Sequence, residues 1–287
     1  MIPNPEFRNE SPIFWAYVRT LSEKLRYTER GQDRVKVPSF SEIEYALTEL
    51  GLDPTKCVLR NGTPTSLGRK LLGYFAFRSD VLTNTVQHQL MTADEAREVF
   101  LSLQRDKTHD VPLPMNKQKA AKRQPAFFTG IVNMLVARGL NGAKCDYSPR
   151  QLTTVSRSGS VLRTLSRRLD GAFPAAVNPV AVWEIKEYYY TTTFGSRVAD
   201  GVYETLLDGM ELLDLRKNEG IHVSHYLMVD AYQTWWCQGK SYLCRMMDML
   251  HMGYVDEILF GREAIDRLPA LAAEWLELSK EPIIQIR

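Results

Sequence analysis

Residues 180–186, Val-Ala-Val-Trp-Glu-Ile-Lys, place a carboxylate and an amine inside an otherwise apolar segment. Apolar and β-branched residues dominate this segment and Asn178-Pro179 precedes it, a pattern typical of a β-strand. Because side chains alternate between the two faces of a strand, Glu184 and Lys186 project from the same face. Burial of such a pair costs free energy unless the charges are matched or bind a metal ion. The pattern therefore indicates either an ion pair or a functional site.

The segments around this strand alternate between helical and strand periodicity. Alternation of this kind predicts an α/β domain over residues 116–287, with a central mixed β-sheet flanked by helices. We expect helices over 126–140, 196–217, 242–250 and 264–278, and strands over 152–157, 161–170, 180–189, 222–231 and 255–260. The buried stripe expected on the second helix consists of Val198, Val202, Leu206, Met210 and Leu213.

The first part of the chain has helical spacing from about residue 11 to residue 103. We expect a helix over 42–50 that begins at a Ser41 cap, followed by helices over 65–77 and 93–103. A proline-containing stretch over 108–125 marks the boundary of a mainly helical N-terminal domain, residues 1–115. Two interpretations of this domain stay open: a winged-helix-like module that reads DNA, or a helical scaffold.

The composition excludes several classes of protein. No apolar run reaches the roughly 18 residues that a membrane span requires, and the first residues lack the pattern of a signal peptide. The four cysteines form no CxxC pair, which argues against a disulfide framework or a structural zinc site. We therefore expect a cytoplasmic protein that does not associate with membranes.

Two basic runs flank the candidate site, one over 117–123 and one within the hairpin predicted over 152–170. The formal net charge of +2 does not by itself indicate a nucleic-acid binder, so the distribution of charge matters more. Each run taken alone is consistent with a solvated face, but together they favour a polyanionic ligand. The candidate DNA-binding residues are Lys117, Lys119, Lys122, Arg123, Arg157, Arg163, Arg167 and Arg168, together with Arg197 in the loop after the strand.

A third charged residue completes a recognisable arrangement. Asp170 ends the second predicted strand, thirteen residues separate it from Glu184, and the Glu184-Ile185-Lys186 triplet lies in the third strand. Helix, hairpin, ExK strand, helix and strand in this order resemble the PD-(D/E)xK nuclease superfamily, the fold of many type II restriction endonucleases. The chain departs from the family pattern at Leu169, where the family has proline, and in the helix over 126–140, which carries no glutamate.

The resemblance implies a restriction-endonuclease-like fold and a site for Mg²⁺. Carboxylate oxygens suit this ion, which is held by one or two carboxylates together with substrate phosphate. The implied ligands are Asp170, Glu184 and the backbone carbonyl of Ile185, and Lys186 would orient the attacking water and stabilise the developing charge. The implied function is site-specific cleavage of double-stranded DNA by a homodimer. Because the helix lacks a glutamate, the number of metal ions is left open.

Alternatives to this interpretation remain. Glu184 and Lys186 are also compatible with an exposed ion pair, and Asp170-Gly171 with an ordinary turn. At the level of function, a repair or antiviral-defence nuclease with loose sequence preference shares the same residues. A DNA-binding protein without enzymatic activity is the alternative from a different class.

Overall fold

A mixed four-stranded β-sheet organises the C-terminal part of the chain. The computed structural model describes residues 1–29, 34–106, 111–116, 123–190 and 195–280, and for Arg197 the backbone alone. The fold is α/β, as the sequence predicts. Six strands lie in the described residues: β1 Thr154–Arg157, β2 Ser160–Thr164, β3 Gly171–Phe173, β4 Ala181–Glu187, β5 Ser224–Asp230 and β6 Glu257–Phe260.

The order of strands in the main sheet is β3, β4, β5, β6. Strands β3 and β4 are antiparallel, whereas β4, β5 and β6 run parallel. Each parallel connection passes through a helix, as parallel neighbours require. Strands β1 and β2 form a separate antiparallel hairpin, whose register shifts between Val155 and Ser156.

Helices surround the sheet and make up most of the N-terminal part. None in the described residues is long and apolar enough to cross a membrane. Their bounds are α1 Pro12–Leu25, α2 Phe40–Glu49, α3 Ser66–Val81, α4 Gln87–Gln89, α5 Ala93–Arg105, α6 Phe127–Leu140, α7 Ser196–Glu219, α8 Lys240–His251 and α9 Glu263–Leu278.

The alternation of side chains along the strands builds apolar cores on both faces of the sheet. Trp183 and Met228 pack on one face with α6 and α9. Leu227 and Val229 pack on the other face with α7 and α8. Glu187, the last residue of β4, accepts the Thr129 N–H at 2.9 Å and so joins the first turn of α6 to the sheet. The sheet is therefore the middle layer of three.

The N-terminal helices are joined to this body by a buried ion pair. Arg78 of α3 contacts Asp248 of α8 at 2.9 Å, and both side chains are almost fully buried. Tyr74 donates its hydroxyl to the same carboxylate at 2.6 Å, and the Arg78 guanidinium also donates to Ser22. Helix α5 packs on α6, with Phe100 inside the core of that face.

The structure differs from several of the predicted elements. The strand expected over 161–170 ends at Thr164, and Asp170 instead directly precedes the separate strand β3. The reason is that Ser166 and Arg167 turn away from the hairpin and bond to Glu211 and Asp208 of α7. Helix α2 begins at a Ser39 cap, where Ser39 and Glu42 form a capping box, and not at Ser41. On α7, Met210 is exposed, whereas Thr205 and Asp208 are buried.

We expect Arg78→Met to lower the free energy of unfolding by about 3–5 kcal/mol, because the substitution leaves the Asp248 carboxylate buried without its cation. Urea unfolding followed by circular dichroism measures this change. The double variant Arg78→Met/Asp248→Leu is the control, since it removes both charges and should recover much of the loss. A loss below about 1 kcal/mol in the single variant would contradict the structural role of the pair.

His251 makes stability depend on pH. Its Nδ1 donates to the Met247 carbonyl at 2.7 Å, and its Nε2 accepts the Asn4 N–H at 3.1 Å, so the buried ring is neutral. Burial lowers the pKa of His251 below its usual 6.5, against the opposing effects of Met247 and Asp248. As the pH falls through 6.5, the unfolded chain binds a proton that the folded chain does not, and stability is lost.

We therefore expect the urea midpoint to fall between about pH 8 and about pH 5.5. In His251→Gln the fall should be smaller, whatever the absolute stability of that variant. Equal falls in the two proteins would show that His251 does not contribute.

Candidate active site

Strand β4 places Glu184 and Lys186 side by side on the face that α7 covers. Both side chains are buried, with exposed fractions of 1% and 4%. Lys186 Nζ donates to Glu184 Oε2 at 2.6 Å. The alternation predicted from sequence is thus present, and the pair lies in the interior of the protein, not on an open sheet surface.

Asp170 reaches the same place from the neighbouring strand. Gly171 pairs with Trp183 in the register of β3 and β4, so Asp170, one step further, lies opposite Glu184. Asp170 Oδ2 accepts the Ile185 N–H at 2.8 Å. Because the N–H and C=O of one strand residue point to the same neighbour, the Ile185 carbonyl also faces this edge. Asp170 is exposed and therefore lies on the solvent side of the site.

Arg167 connects this group to α7. Its Nη1 lies 2.9 Å from Glu184 Oε1 and 2.6 Å from Asp208 Oδ2. Its Nη2 lies 3.2 Å from Glu184 Oε2 and 3.3 Å from Glu204 Oε2. A single guanidinium therefore bridges three carboxylates that come from β4 and α7.

Helix α7 carries a stripe of acidic residues that sequence reasoning missed. Glu204, Asp208 and Glu211 follow each other at helical spacing and so share one face. Besides the contacts to Arg167, Glu211 accepts the Ser166 N–H at 3.0 Å and the Ser166 hydroxyl at 2.6 Å. The i, i+4, i+7 spacing of these acids is the sequence signal that indicates a shared face. The acidic stripe holds the segment before Asp170 against the helix.

Neighbouring charges shift the pKa values of the cluster in opposite directions. Burial would raise the pKa of Glu184, but the charges of Lys186 and Arg167 outweigh it and hold this pKa below its usual value. Burial would lower the pKa of Lys186, and the negative charge of Glu184 raises it instead. Both cationic partners thus stabilise Glu184 as a carboxylate at neutral pH.

Two other carboxyl groups in the cluster are harder to ionise. Crowding by protein atoms raises the pKa of Asp170 to about 6, and the charge of Glu184 adds to this, although solvent reaches the side chain. Burial raises the pKa of Asp208 to about 7, with Arg167 opposing the rise. A bound cation would favour the ionised form of both groups.

The oxygens of the cluster suit Mg²⁺ in part. Two buried carboxylate oxygens, Glu184 Oε1 and Asp208 Oδ1, have no hydrogen-bond partner. The Glu184 oxygen is close to Arg167, but without the alignment of a hydrogen bond. Among the described residues, no three His, Cys, Asp or Glu side chains are grouped so that they could hold a metal ion. Mg²⁺ needs only one or two carboxylates with water and substrate phosphate, and Asp170 and Glu184 fit that requirement.

Comparison with protein families covers both parts of the chain. Residues 91–275 match the family described as Domain of unknown function (DUF7687). The chain belongs to the DUF7687 family. Residues 1–85 match a second family, described as Domain of unknown function (DUF7690). No curated protein and no solved structure matches the chain. The DUF7687 range contains the whole cluster.

The predicted DNA-binding residues lie in different environments within the DUF7687 domain. Arg157 donates to the Glu219 carbonyl at 2.7 Å, and Arg163 pairs with Asp214. Arg123 and Arg168 are exposed, and Arg167 is part of the cluster. Outside the described residues lie Lys117, Lys119, Lys122 and the side chain of Arg197.

We expect Gly171→Ala to destabilise the DUF7687 domain by about 1–3 kcal/mol, as overpacking does in a tight core. A Cβ at this position would lie 1.9 Å from the Trp183 ring, so β3 and with it Asp170 would have to move. Urea unfolding measures the loss. Gly73→Ala is the control, because nothing lies within 4 Å of its Cβ position inside α3 and alanine favours a helix. The control should be neutral or stabilising, and equal effects of the two substitutions would contradict the close approach.

Proposed function

We propose that the chain is a Mg²⁺-dependent endonuclease of the PD-(D/E)xK type that hydrolyses phosphodiester bonds of duplex DNA. One observation carries the proposal: Asp170 bonds to the Ile185 N–H directly beside the buried Glu184–Lys186 pair. Two carboxylates and an amine from neighbouring strands therefore meet at one edge of the sheet. These are the three groups that the motif requires.

The order of elements supports a restriction-endonuclease-like topology. Helix α6 precedes the strands, β3 and β4 are antiparallel, and α7 connects β4 to the parallel strand β5. This is the arrangement of helix, strands, helix and strand on which the resemblance rests. Glu184 and Lys186 lie on β4, and Asp170 lies immediately before β3.

The side chains divide the chemistry between them. Asp170 and Glu184 would hold Mg²⁺, together with the Ile185 carbonyl that faces the same edge. Such an ion, when bound, lowers the pKa of a water molecule and polarises the phosphate. Lys186 carries a positive charge beside Glu184. From this position its ammonium would donate a hydrogen bond to the attacking water and stabilise the negative charge that develops on the phosphate. Burial of the pair keeps this charge out of bulk water. Its electrostatic effect is stronger in the protein interior, where the effective dielectric constant is lower than in water.

The finer proposal is a type II restriction enzyme that recognises a short DNA sequence. Two-fold symmetric sites on a duplex favour a homodimer. Arg168 is exposed two residues before Asp170, which suits contact with the DNA backbone near the site. The N-terminal domain, residues 1–115, is the proposed reader of the sequence. Cleavage of one fully sequenced plasmid distinguishes this proposal from a nuclease of loose preference, because discrete fragments support it and a smear opposes it.

We expect Asp170→Asn, Glu184→Gln and Lys186→Gln each to lower the rate of plasmid cleavage in Mg²⁺ by on the order of 100-fold or more, since each removes a charge that acts on the metal or on the phosphate. The assay compares initial rates at equal protein concentration. Circular dichroism of each variant confirms that it is folded.

Glu277→Ala and Lys280→Ala are matched controls for this assay. These residues also form an acid–lysine pair, at 2.7 Å, but both are exposed: Glu277 lies in the last turn of α9 and Lys280 lies just after the end of that helix. They should cleave like the wild type. Wild-type rates in Glu184→Gln and Lys186→Gln would refute the proposed active site.

A DNA-binding protein without enzymatic activity is the second candidate. It is favoured by one observation, namely that both oxygens of Glu184 already lie close to a cation. In that case the cluster serves only to join β4 to α7. This alternative predicts DNA binding that needs no divalent metal and that Asp170→Asn leaves unchanged, as a gel-shift assay with and without EDTA measures.

A further inference from the structure

The charges around Glu184 do not balance. Six ionisable side chains interact within the cluster, and when its carboxyl groups are ionised two negative charges are in excess. One divalent cation would neutralise this excess. The acidic side chains are Asp170, Glu184, Glu204 and Asp208, and the basic ones are Arg167 and Lys186.

Arg167 already occupies the position of a cation between two of these acids. Its Nη1 bridges Glu184 Oε1 and Asp208 Oδ2, at 2.9 and 2.6 Å. Asp208 is fully buried, and its other oxygen, Oδ1, has no hydrogen-bond partner. A buried carboxylate of this kind requires a matching charge, and Arg167 supplies it. Glu184 and Asp208 together would otherwise form a place for a second metal ion.

Arg167 also remains open to a ligand. Its side chain is 24% exposed, and its contact to Glu204 is the longest, at 3.3 Å from an acid that is itself 48% exposed. A guanidinium has five donors in a planar fork, so it can hold two carboxylates and still donate to a phosphate oxygen. A phosphate would displace Glu204 from Nη2 without disturbing the bridge through Nη1.

We propose that the Arg167 guanidinium takes the place of a second metal ion in this site and that Asp208 is the residue that positions it. The site therefore binds one divalent cation. The inference rests on the proposed nuclease function and adds the number of metal ions and the group that contacts the phosphate. The guanidinium neutralises charge on the phosphate where a second ion would otherwise act. Asp208, on α7, holds it against Glu184.

Mn²⁺ binding to the full chain tests the inference with a readout other than activity. We expect electron paramagnetic resonance titration to give one bound Mn²⁺ per wild-type chain. In Arg167→Ala, Glu184 and Asp208 lose their guanidinium, and the number of bound ions should rise to two. The double variant Arg167→Ala/Asp208→Asn should return to one. A purely structural role of Arg167 would not create a second ion site.

Arg168→Ala is the matched control, because it removes the neighbouring, exposed arginine. It should bind one Mn²⁺ with wild-type affinity. Arg167→Lys keeps a charge and should also bind one ion. Arg167→Gln removes the charge with less loss of volume, so it should bind two ions and serves as the second variant if Arg167→Ala does not fold.

The positioning role of Asp208 has its own measurement. In Asp208→Asn we expect kcat to fall by on the order of 100-fold, because the guanidinium is no longer held in place, while KM for DNA stays unchanged. Asp208→Glu should recover part of kcat. An unchanged kcat in Asp208→Asn would overturn this role.

The outcomes separate this inference from the proposed function. Two Mn²⁺ ions in the wild type, or a single ion in Arg167→Ala, would overturn the inference while leaving metal-dependent cleavage intact. Absence of Mn²⁺ binding in the wild type would refute the proposed function and the inference with it.

Discussion

The burial of Glu184 and Lys186 on the inner face of β4 is the constraint around which this part of the structure is arranged. Removing two such charges from water costs several kcal/mol for each ion, and their mutual attraction offsets this only when further partners are present. Here Arg167 supplies one partner to Glu184, and Glu204 lies 3.8 Å from the lysine. The segment that carries Arg167 must therefore lie between β4 and α7.

Helix α7 has two functions in this arrangement. Its apolar residues pack into the cores below the sheet, while its acidic stripe holds the chain between the hairpin and β3. Gly201 lets the helix approach closely, since a Cβ there would lie 2.9 Å from the Tyr188 hydroxyl and 3.4 Å from Lys186 Cδ. A larger residue would push the helix away from the lysine. The position of α7 is thus set by the cluster as well as by apolar packing.

Much of this architecture follows from local patterns. The helices α6, α7, α8 and α9 and the strands β4, β5 and β6 lie close to where the sequence pattern predicts them. The helices have apolar residues at helical spacing, and the strands are short segments that are buried on both faces. The misplaced elements are those whose contacts are polar. The strand expected to end at Asp170 stops at Thr164, because Ser166 and Arg167 bond to α7 and not to the hairpin. The prediction that Met210 belongs to the buried stripe of α7 is wrong for the same reason. The helix turns Asp208 toward the interior, and Met210 is exposed.

For the candidate site, the sequence by itself determined that Glu184 and Lys186 share a face, because the two-residue period of a strand allows no other outcome. The sequence also places Asp170 close enough to Glu184 along the chain for two neighbouring strands to bring the two carboxylates together. Only the tertiary structure decided that Arg167, Glu204 and Asp208 belong to the same cluster. Their positions depend on how a helix that follows β4 packs back across the sheet, and no local pattern specifies the contacts between segments so far apart in the chain.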